Sequence, residues 1–411
     1  MTTLSAIGHL DADCFYVSCE RVRFPSLRNK PVGVLGNQGA CVIAKSYEMK
    51  ARGIKTGMPI WDSVKLCPEG IYVKRDFRWY EIISRQLLAV LREISPTVEY
   101  YSVDEMFFDA KHLPDVFGKP MPEAVEALKL RIREELNIPV SIGIAPSKSL
   151  AKLVSDGTKP FGHDTLMDKN NIERFLKNMP VEEVCGIAER SRRKLAMYNI
   201  VDCIDFIRAD RHLIRKLLTR KGEILWWELQ GTPIQSLETQ RPPHKALGRG
   251  GSLGGTVSDW ERLYAFGVRN TERLIEELDF HRVYTTRLAV GLSFKGGSGW
   301  WDQVDLPEAT ARFDLLLDAV RNFLRDGFRH GLPVTRMDLL ATRLCFRDAT
   351  QGSLFAEPNP QAERTAHAKR FVNEKLGRFA VRSGGTLPLA DIYVDDTHQY
   401  DICDIRGKMC F

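Results

Sequence analysis

Between residues 246 and 346 the sequence alternates in a pattern that few folds can accept: strand 246–257, helix 259–278, strand 283–295, strand 300–306, helix 308–327 and strand 335–346. In the strand from 283, Thr286, Leu288, Val290 and Leu292 alternate with Arg287, Ala289 and Gly291, the two-residue period of a strand with one face buried. A β-α-β-β-α-β run of this kind predicts a ferredoxin-like unit, one sheet with both helices on the same face. The opposite face is left open for a partner.

Upstream, apolar runs at 6–12, 31–35, 41–44, 98–103 and 140–145 read as strands. Segments 15–21, 47–51, 76–94, 121–136 and a stretch from Ser147 read as helices. Strands and helices interleaved in this way argue for an α/β or α+β core whose sheet is buried on at least one face. From 169 to 235 the strand signals stop and short helices remain, which predicts a small helical domain. Residues 240–244, with Pro242 and Pro243, read as a tether, and beyond 348 the chain turns Gly-, Pro- and polar-rich before one more helix at 362–376. Because 411 residues exceed what a single hydrophobic core accommodates, the expected architecture is α+β multidomain.

A net charge of +6 and a pI near 8.8 suit a polyanionic partner without demanding one. The nine cysteines stand singly, with no C-x-x-C pair and no framework of the small secreted type, so they read as reduced thiols. No signal-like start and no stretch of about eighteen uninterrupted apolar residues occurs. The expectation is a cytoplasmic protein with no membrane partner.

Asp11 and Asp13 close the first strand candidate, and Asp104 and Glu105 close the one over 98–103. Strand ends of one sheet can converge such acids, and hard Mg²⁺ takes oxygen ligands, few from protein and the rest from phosphate and water. Singly, each acid is more simply a solvated turn residue. Together with the lysines that follow them, they point to a metal site.

Four ordered stretches carry this further: DADCFYVSCE from Asp11, VIAKSYEMKARGIKTGMP from Val42, YSVDEMFFD from Tyr101 and SIGIAPSKSLAKLVSDGTKP from Ser141. Over roughly residues 5–350 the set resembles the motifs of the Y-family translesion DNA polymerases. The resemblance implies a palm (1–14 and 80–168), fingers (15–79), a helical thumb (169–235), a linker (236–245), a little finger (246–347) and a C-terminal tail (348–411). It implies template-directed, error-prone synthesis across damaged DNA by two-metal nucleotidyl transfer without proofreading, in a DNA damage (SOS) response. The metals would be two Mg²⁺ ions, for which Mn²⁺ can substitute, held by Asp11, Asp104, Glu105 and the Ala12 carbonyl, with Asp13 a weaker candidate.

By the same resemblance Tyr47, Lys50 and Lys159 hold the incoming dNTP triphosphate, with Lys148 as a further contact. Phe15 and Tyr16 lie under its sugar, Tyr16 as the steric gate, and Val42 and Ala44 cover the nascent base pair. Lys50 stands where many relatives have arginine, which weakens bidentate phosphate contact. Met106 is larger than the residue expected after the Asp-Glu pair.

Partners follow too. VEEVCGIAERSRRKLAMYNI, from Val181, resembles a helix-hairpin-helix with Gly186 at its turn and Ala188 where a second glycine is common, a device for gripping the primer-template backbone. Lys245, Arg249, Arg287 and Lys295 are candidates for sequence-tolerant DNA contact. QGSLF, with Gln351, Leu354 and Phe355, resembles the peptide that docks on the β-type sliding clamp. NEKLGRFAVRSGG, from Asn373, resembles the catalytic-subunit branch of bacterial DNA polymerase V more than the polymerase IV branch, and raises activator subunits as partners. Two rival readings are a nucleotide cyclase on a palm-like fold and an inactive relative that bridges other subunits. The first gives the later domains no purpose, and the second is expected to lack the acids that this chain has.

Overall fold

A computed structural model describes residues 5–36, 41–240, 243–328, 331–349, 360–376 and 380–394. Two compact units emerge, one built on Met1–Arg241 and one on Pro242–Ile405. Gln351, Leu354 and Phe355 lie outside the described residues.

In chain order the first unit contains β1 (Ile7–Ala12), α1 (Phe15–Arg23), β2 (Val32–Leu35), β3 (Val42–Lys45), α2 (Tyr47–Lys50), α3 (Ile60–Leu66), β4 (Ile71–Lys74) and α4 (Phe77–Ile94). It continues with β5 (Val98–Tyr100), β6 (Glu105–Asp109), α5 (Leu113–Phe117), α6 (Met121–Leu136), β7 (Val140–Ala145), α7 (Lys148–Gly157) and β8 (His163–Thr165). Four helices follow: α8 (Lys169–Leu176), α9 (Glu189–Ala196), α10 (Cys203–Arg208) and α11 (Arg211–Leu229). Six of these eleven helix starts are written in the sequence, because Ser46, Asp76, Ser147, Asp168, Asp202 and Asp210 each accept a main-chain N–H of the first turn.

The central sheet runs β5-β6-β1-β7-β8, with β1 antiparallel to both neighbours and β8 parallel to β7. One face packs on α4 and α6 through Leu10, Met106, Phe108, Leu87, Leu91 and Leu128. Met106 is fully buried in that layer, where its unbranched side chain fills core space away from the acids. A small sheet, β3-β2-β4, carries the segment read as fingers.

One expectation fails here in an instructive way. The run 98–103 was expected to be a strand ending at Asp104 and Glu105, yet β5 stops at Tyr100 and Glu105 opens β6. Ser102 makes the turn: its hydroxyl accepts the Glu105 N–H at 3.0 Å and donates to Asp104 Oδ1 at 2.6 Å.

The second unit contains β9 (Ala246–Val257), α12 (Trp260–Phe280), β10 (Val283–Phe294), β11 (Gly299–Thr310), α13 (Phe313–Gly327) and β12 (Val334–Phe346). Strand order is β11-β10-β12-β9, all antiparallel, so each helical connection carries the chain past one intervening strand. Leu288, Val290, Leu292, Met337 and Leu339 meet Leu263, Phe266, Leu274, Val320 and Leu324 of the two helices in one core. β11 is longer than expected and α13 starts later, at Phe313.

The segment beyond 348 is more than a tail. After α14 (Pro360–Leu376), a 3₁₀ turn at Gly384–Leu389 packs on α12 and α15 (Ala390–Val394) packs on that turn, placing Leu389 and Ile392 in the same core. Lys369 pairs with Glu272, Arg370 with Asp279 at 2.7 Å, and Arg262 with Asp391 at 2.8 Å. No helix among the described residues is long and apolar enough to cross a membrane.

Candidate active site

β1 is buried along its whole length between β6 and β7, so both neighbours position the residues at its C-terminal end. Asp11 lies directly opposite Glu105 on β6 and Ser141 on β7. Opposed residues of an antiparallel pair project from the same face, and this face is the one that α7 covers. Gly143 lets α7 come close: a Cβ there would sit 2.3 Å from the Ala151 carbonyl oxygen and 2.5 Å from the Ser155 nitrogen.

The basic groups of α7 and its following turn meet the acids. Lys159 Nζ donates to Asp11 Oδ2 at 2.6 Å and to Asp156 Oδ1 at 2.7 Å, and Lys152 Nζ donates to Glu105. Asp104 joins the group through the main chain, its carbonyl accepting the Ala12 N–H at 2.9 Å. His9, two residues before Asp11, is buried against Phe107 with Nδ1 2.6 Å from Ser155 Oγ. Burial, with Lys152, Lys159 and Lys148 nearby, holds that imidazole well below its ordinary pKa.

Burial raises the Asp11 carboxyl to about 8; Lys159 opposes the rise, and Glu105 and Asp104 add to it. Burial likewise raises Asp104, against the hydrogen bond from Ser102. Acids so placed gain from a nearby cation more than solvated acids do. No three acidic, histidine or cysteine side chains among the described residues converge tightly enough to hold an ion alone. Mg²⁺ needs only one or two protein carboxylates beside phosphate and water oxygens, so Asp11, Asp104 and Glu105 fit it as a partial ligand set.

Several expected contacts are reassigned. Asp13 is occupied structurally: its carboxylate accepts from the Phe161 N–H at 2.7 Å, from Ser141 Oγ at 3.1 Å and from the Tyr47 hydroxyl at 3.3 Å. Lys148 is buried in an ion pair with Glu99 at 2.7 Å, which removes it from triphosphate contact. Val42 points into the small core beside the β3-β2-β4 sheet with Met49 and Ile54, whereas Ala44, two residues on, is only half-buried. Lys50 is exposed, 5.8 Å from the Tyr47 ring centre. Phe15 is core, and Tyr16 stacks on buried Tyr80 with ring centres 4.5 Å apart and planes 18° apart.

In the helical segment Gly186 has φ +102°, a conformation that favours glycine, and Ala188 precedes α9 without a side-chain cap. In the second unit Lys245 and Lys295 are exposed. Arg287 lies on the open sheet face but is paired in bidentate fashion with Asp305, at 2.6 and 2.9 Å. Arg249 is a correction: it shares the helix-facing side of β9 with Leu247, is buried, and pairs with Glu277 of α12. Two-residue alternation assigns strand faces only if the register is known, and the pairing of β9 with β12 turns Arg249 to the helix-facing side.

Sequence reasoning missed Lys152, Ser102 and Ser141. Lys152 is separated from Glu105 by 47 positions, and nothing local marks that pairing. Its only sequence signal is the placement of Lys152 in one amphipathic helix with Ser155, leading on to Lys159.

Comparison with known proteins agrees with this geometry. The impB/mucB/samB family matches residues 10–156, and its C-terminal domain matches residues 244–354. A protein named DNA polymerase IV, from Bacillus velezensis, is 30% identical over 389 residues, covering 93% of each chain. Protein ImpB of Salmonella typhimurium is 34% identical over 288 residues, 67% of this chain and 66% of its own. Among solved structures, a Y-family DNA polymerase chimera shares the fold at a TM-score of 0.71 and 21% identity, over 83% of this chain and 100% of its own. On these matches and this fold, the chain belongs to the impB/mucB/samB family, the Y-family DNA polymerases.

Proposed function

We propose that this chain extends a DNA primer on a template, adding nucleotides across damaged positions by two-metal chemistry and without proofreading. The observation that carries the reading is the pair of buried Asp11 and half-buried Glu105, side by side on β1 and β6 with Asp104 tied to the same strand end. When bound there, Mg²⁺ would activate the primer 3′-hydroxyl and offset charge on the α-phosphate and the leaving pyrophosphate. The chain's own groups bind and orient. Lys159, which now serves Asp11 and Asp156, is a point charge for triphosphate oxygens, and exposed Lys50 is another. Lys245, Lys295 and Arg287 supply phosphate contacts that are indifferent to base sequence. The sequence has no run of acids suited to a separate 3′-to-5′ exonuclease.

Primer extension with purified protein and Mg²⁺, on undamaged and abasic templates, tests the reading. Incorporation on both is expected. A folded protein that adds no nucleotide with either Mg²⁺ or Mn²⁺ would refute it.

Docking of QGSLF on a sliding clamp belongs to the same reading: an amide sets orientation and Leu354 and Phe355 act as apolar anchors. A clamp encircling DNA would present the primer at an effective concentration of about millimolar. Changing Gln351, Leu354 and Phe355 together to alanine is expected to abolish stimulation by loaded clamp on a primed circle while leaving clamp-free extension intact. Equal stimulation of wild type and variant would exclude this peptide as the tether.

A further inference from the structure

We propose that residues 232–238, which the sequence presents as the approach to a tether, are latched to the first unit by two buried carboxylates, and that this latch positions α7 for nucleotide addition. The inference rests on the reading of Lys152 and Lys159 as site residues. Glu228, in the last turn of α11, is fully buried. Its Oε2 accepts the Ser149 N–H at 3.0 Å, in the first turn of α7, while its Oε1 accepts the N–H groups of Ile234 and Gln235, each at 2.9 Å. The main-chain carbonyl of Glu228 accepts from the hydroxyl of Ser147, the N-cap of α7, at 2.6 Å. One residue therefore serves both the start of a palm helix and the outgoing chain.

Glu99 on β5 repeats the arrangement. It is buried, takes two hydrogen bonds from Lys148 at 2.7 and 2.8 Å, and accepts the N–H of Glu238 at 2.9 Å. Lys148 is the first residue of α7, so both carboxylates grip the same helix end and the same outgoing segment. A carboxylate at a helix N-terminus is favoured by the helix dipole, and each buried N–H left without an acceptor carries a desolvation cost. From the latch, α7 runs one turn to Lys152, which faces Glu105, and then to the turn holding Lys159, which faces Asp11. Glu228 touches no reacting atom; it is a positioning residue.

Glu228→Gln in the full chain is the test. Glutamine keeps one acceptor oxygen but replaces the other with an NH₂ that cannot accept, so either Ser149 or the Ile234 and Gln235 pair loses its partner. Hydrogen exchange is expected to quicken at least about tenfold in peptides covering 232–238 and 148–159 and to stay unchanged over 121–136. Displacement of a positioned group by about 1 Å can cost about a hundredfold, so kcat/KM for dNTP is expected to fall about 10- to 100-fold while primer-template affinity holds within about twofold. Should Glu228→Gln fail to fold, Glu99→Gln carries the same two measurements. Faster exchange at 232–238 with none at 148–159 would overturn the coupling, and so would loosened α7 with kcat/KM within about twofold of wild type. A wild-type protein without polymerase activity would count against the functional reading, and the exchange measurements would still judge the latch.

Discussion

Asp104→Ala is expected to reduce nucleotide addition by more than about a hundredfold while leaving the protein folded and still bound to primer-template. Even groups that only orient a metal ligand cost about 10- to 100-fold when removed, and Asp104 is proposed as a ligand itself. Stability should not suffer. Burial already disfavours the ionised Asp104 and Glu105 adds like charge, and removing the carboxyl relieves both, which offsets the loss of the hydrogen bond from Ser102, whose hydroxyl still accepts the Glu105 N–H. The link from Ala12 N–H to residue 104 runs through a main-chain carbonyl, which alanine retains. Single-turnover incorporation, melting temperature and DNA binding should be measured on one preparation. A variant extending primers at close to the wild-type rate would remove Asp104 from the site.

Tyr16→Ala is expected to let ribonucleotides in. The ring is fixed by more than its own rotamer: it stacks on Tyr80, whose hydroxyl donates to Glu20 at 2.8 Å in a buried setting. A ring held this firmly cannot yield to a 2′-hydroxyl, and overpacking of that kind costs about 1–3 kcal/mol. At about 1.4 kcal/mol per tenfold, discrimination against rNTP should relax about 5- to 150-fold. Because Tyr80 and Phe77 remain, the loss should appear in selectivity before it appears in stability. Single-nucleotide incorporation with paired dNTP and rNTP checks it, and unchanged selectivity would exclude Tyr16 as the gate.

How much of this was legible depends on the range of the interaction that decides each feature. Helix starts at Asp76, Ser147 and Asp259 could be read because capping is settled within three residues. The β-α-β-β-α-β order could be read because it is a sum of local periods. Asp11, Asp104 and Glu105 stood out through motif order, and the structure adds the reason they meet, the register of β1 on β6. What stayed hidden is decided at long range. Lys148 looks no different in sequence from Lys152, yet one is buried on Glu99 and the other faces Glu105. Arg249 looked like a surface cation until strand pairing turned it toward Glu277. The turn at Ser102 was local and still missed, because V-E-Y-Y-S-V has the composition of a continuous strand.

The return of the chain over α12 bears on how such proteins can be recombined. The family's C-terminal domain spans 244–354, but the apolar interior of this half is completed by Leu389 and Ile392, and its acidic helix face is matched by Lys369 and Arg370. A crossover placed at the edge of the shared stretch would join a sheet from one lineage to a covering segment selected against another. The smallest piece that can be inherited as a working whole therefore extends through residue 394, past the end of the family's C-terminal domain at 354.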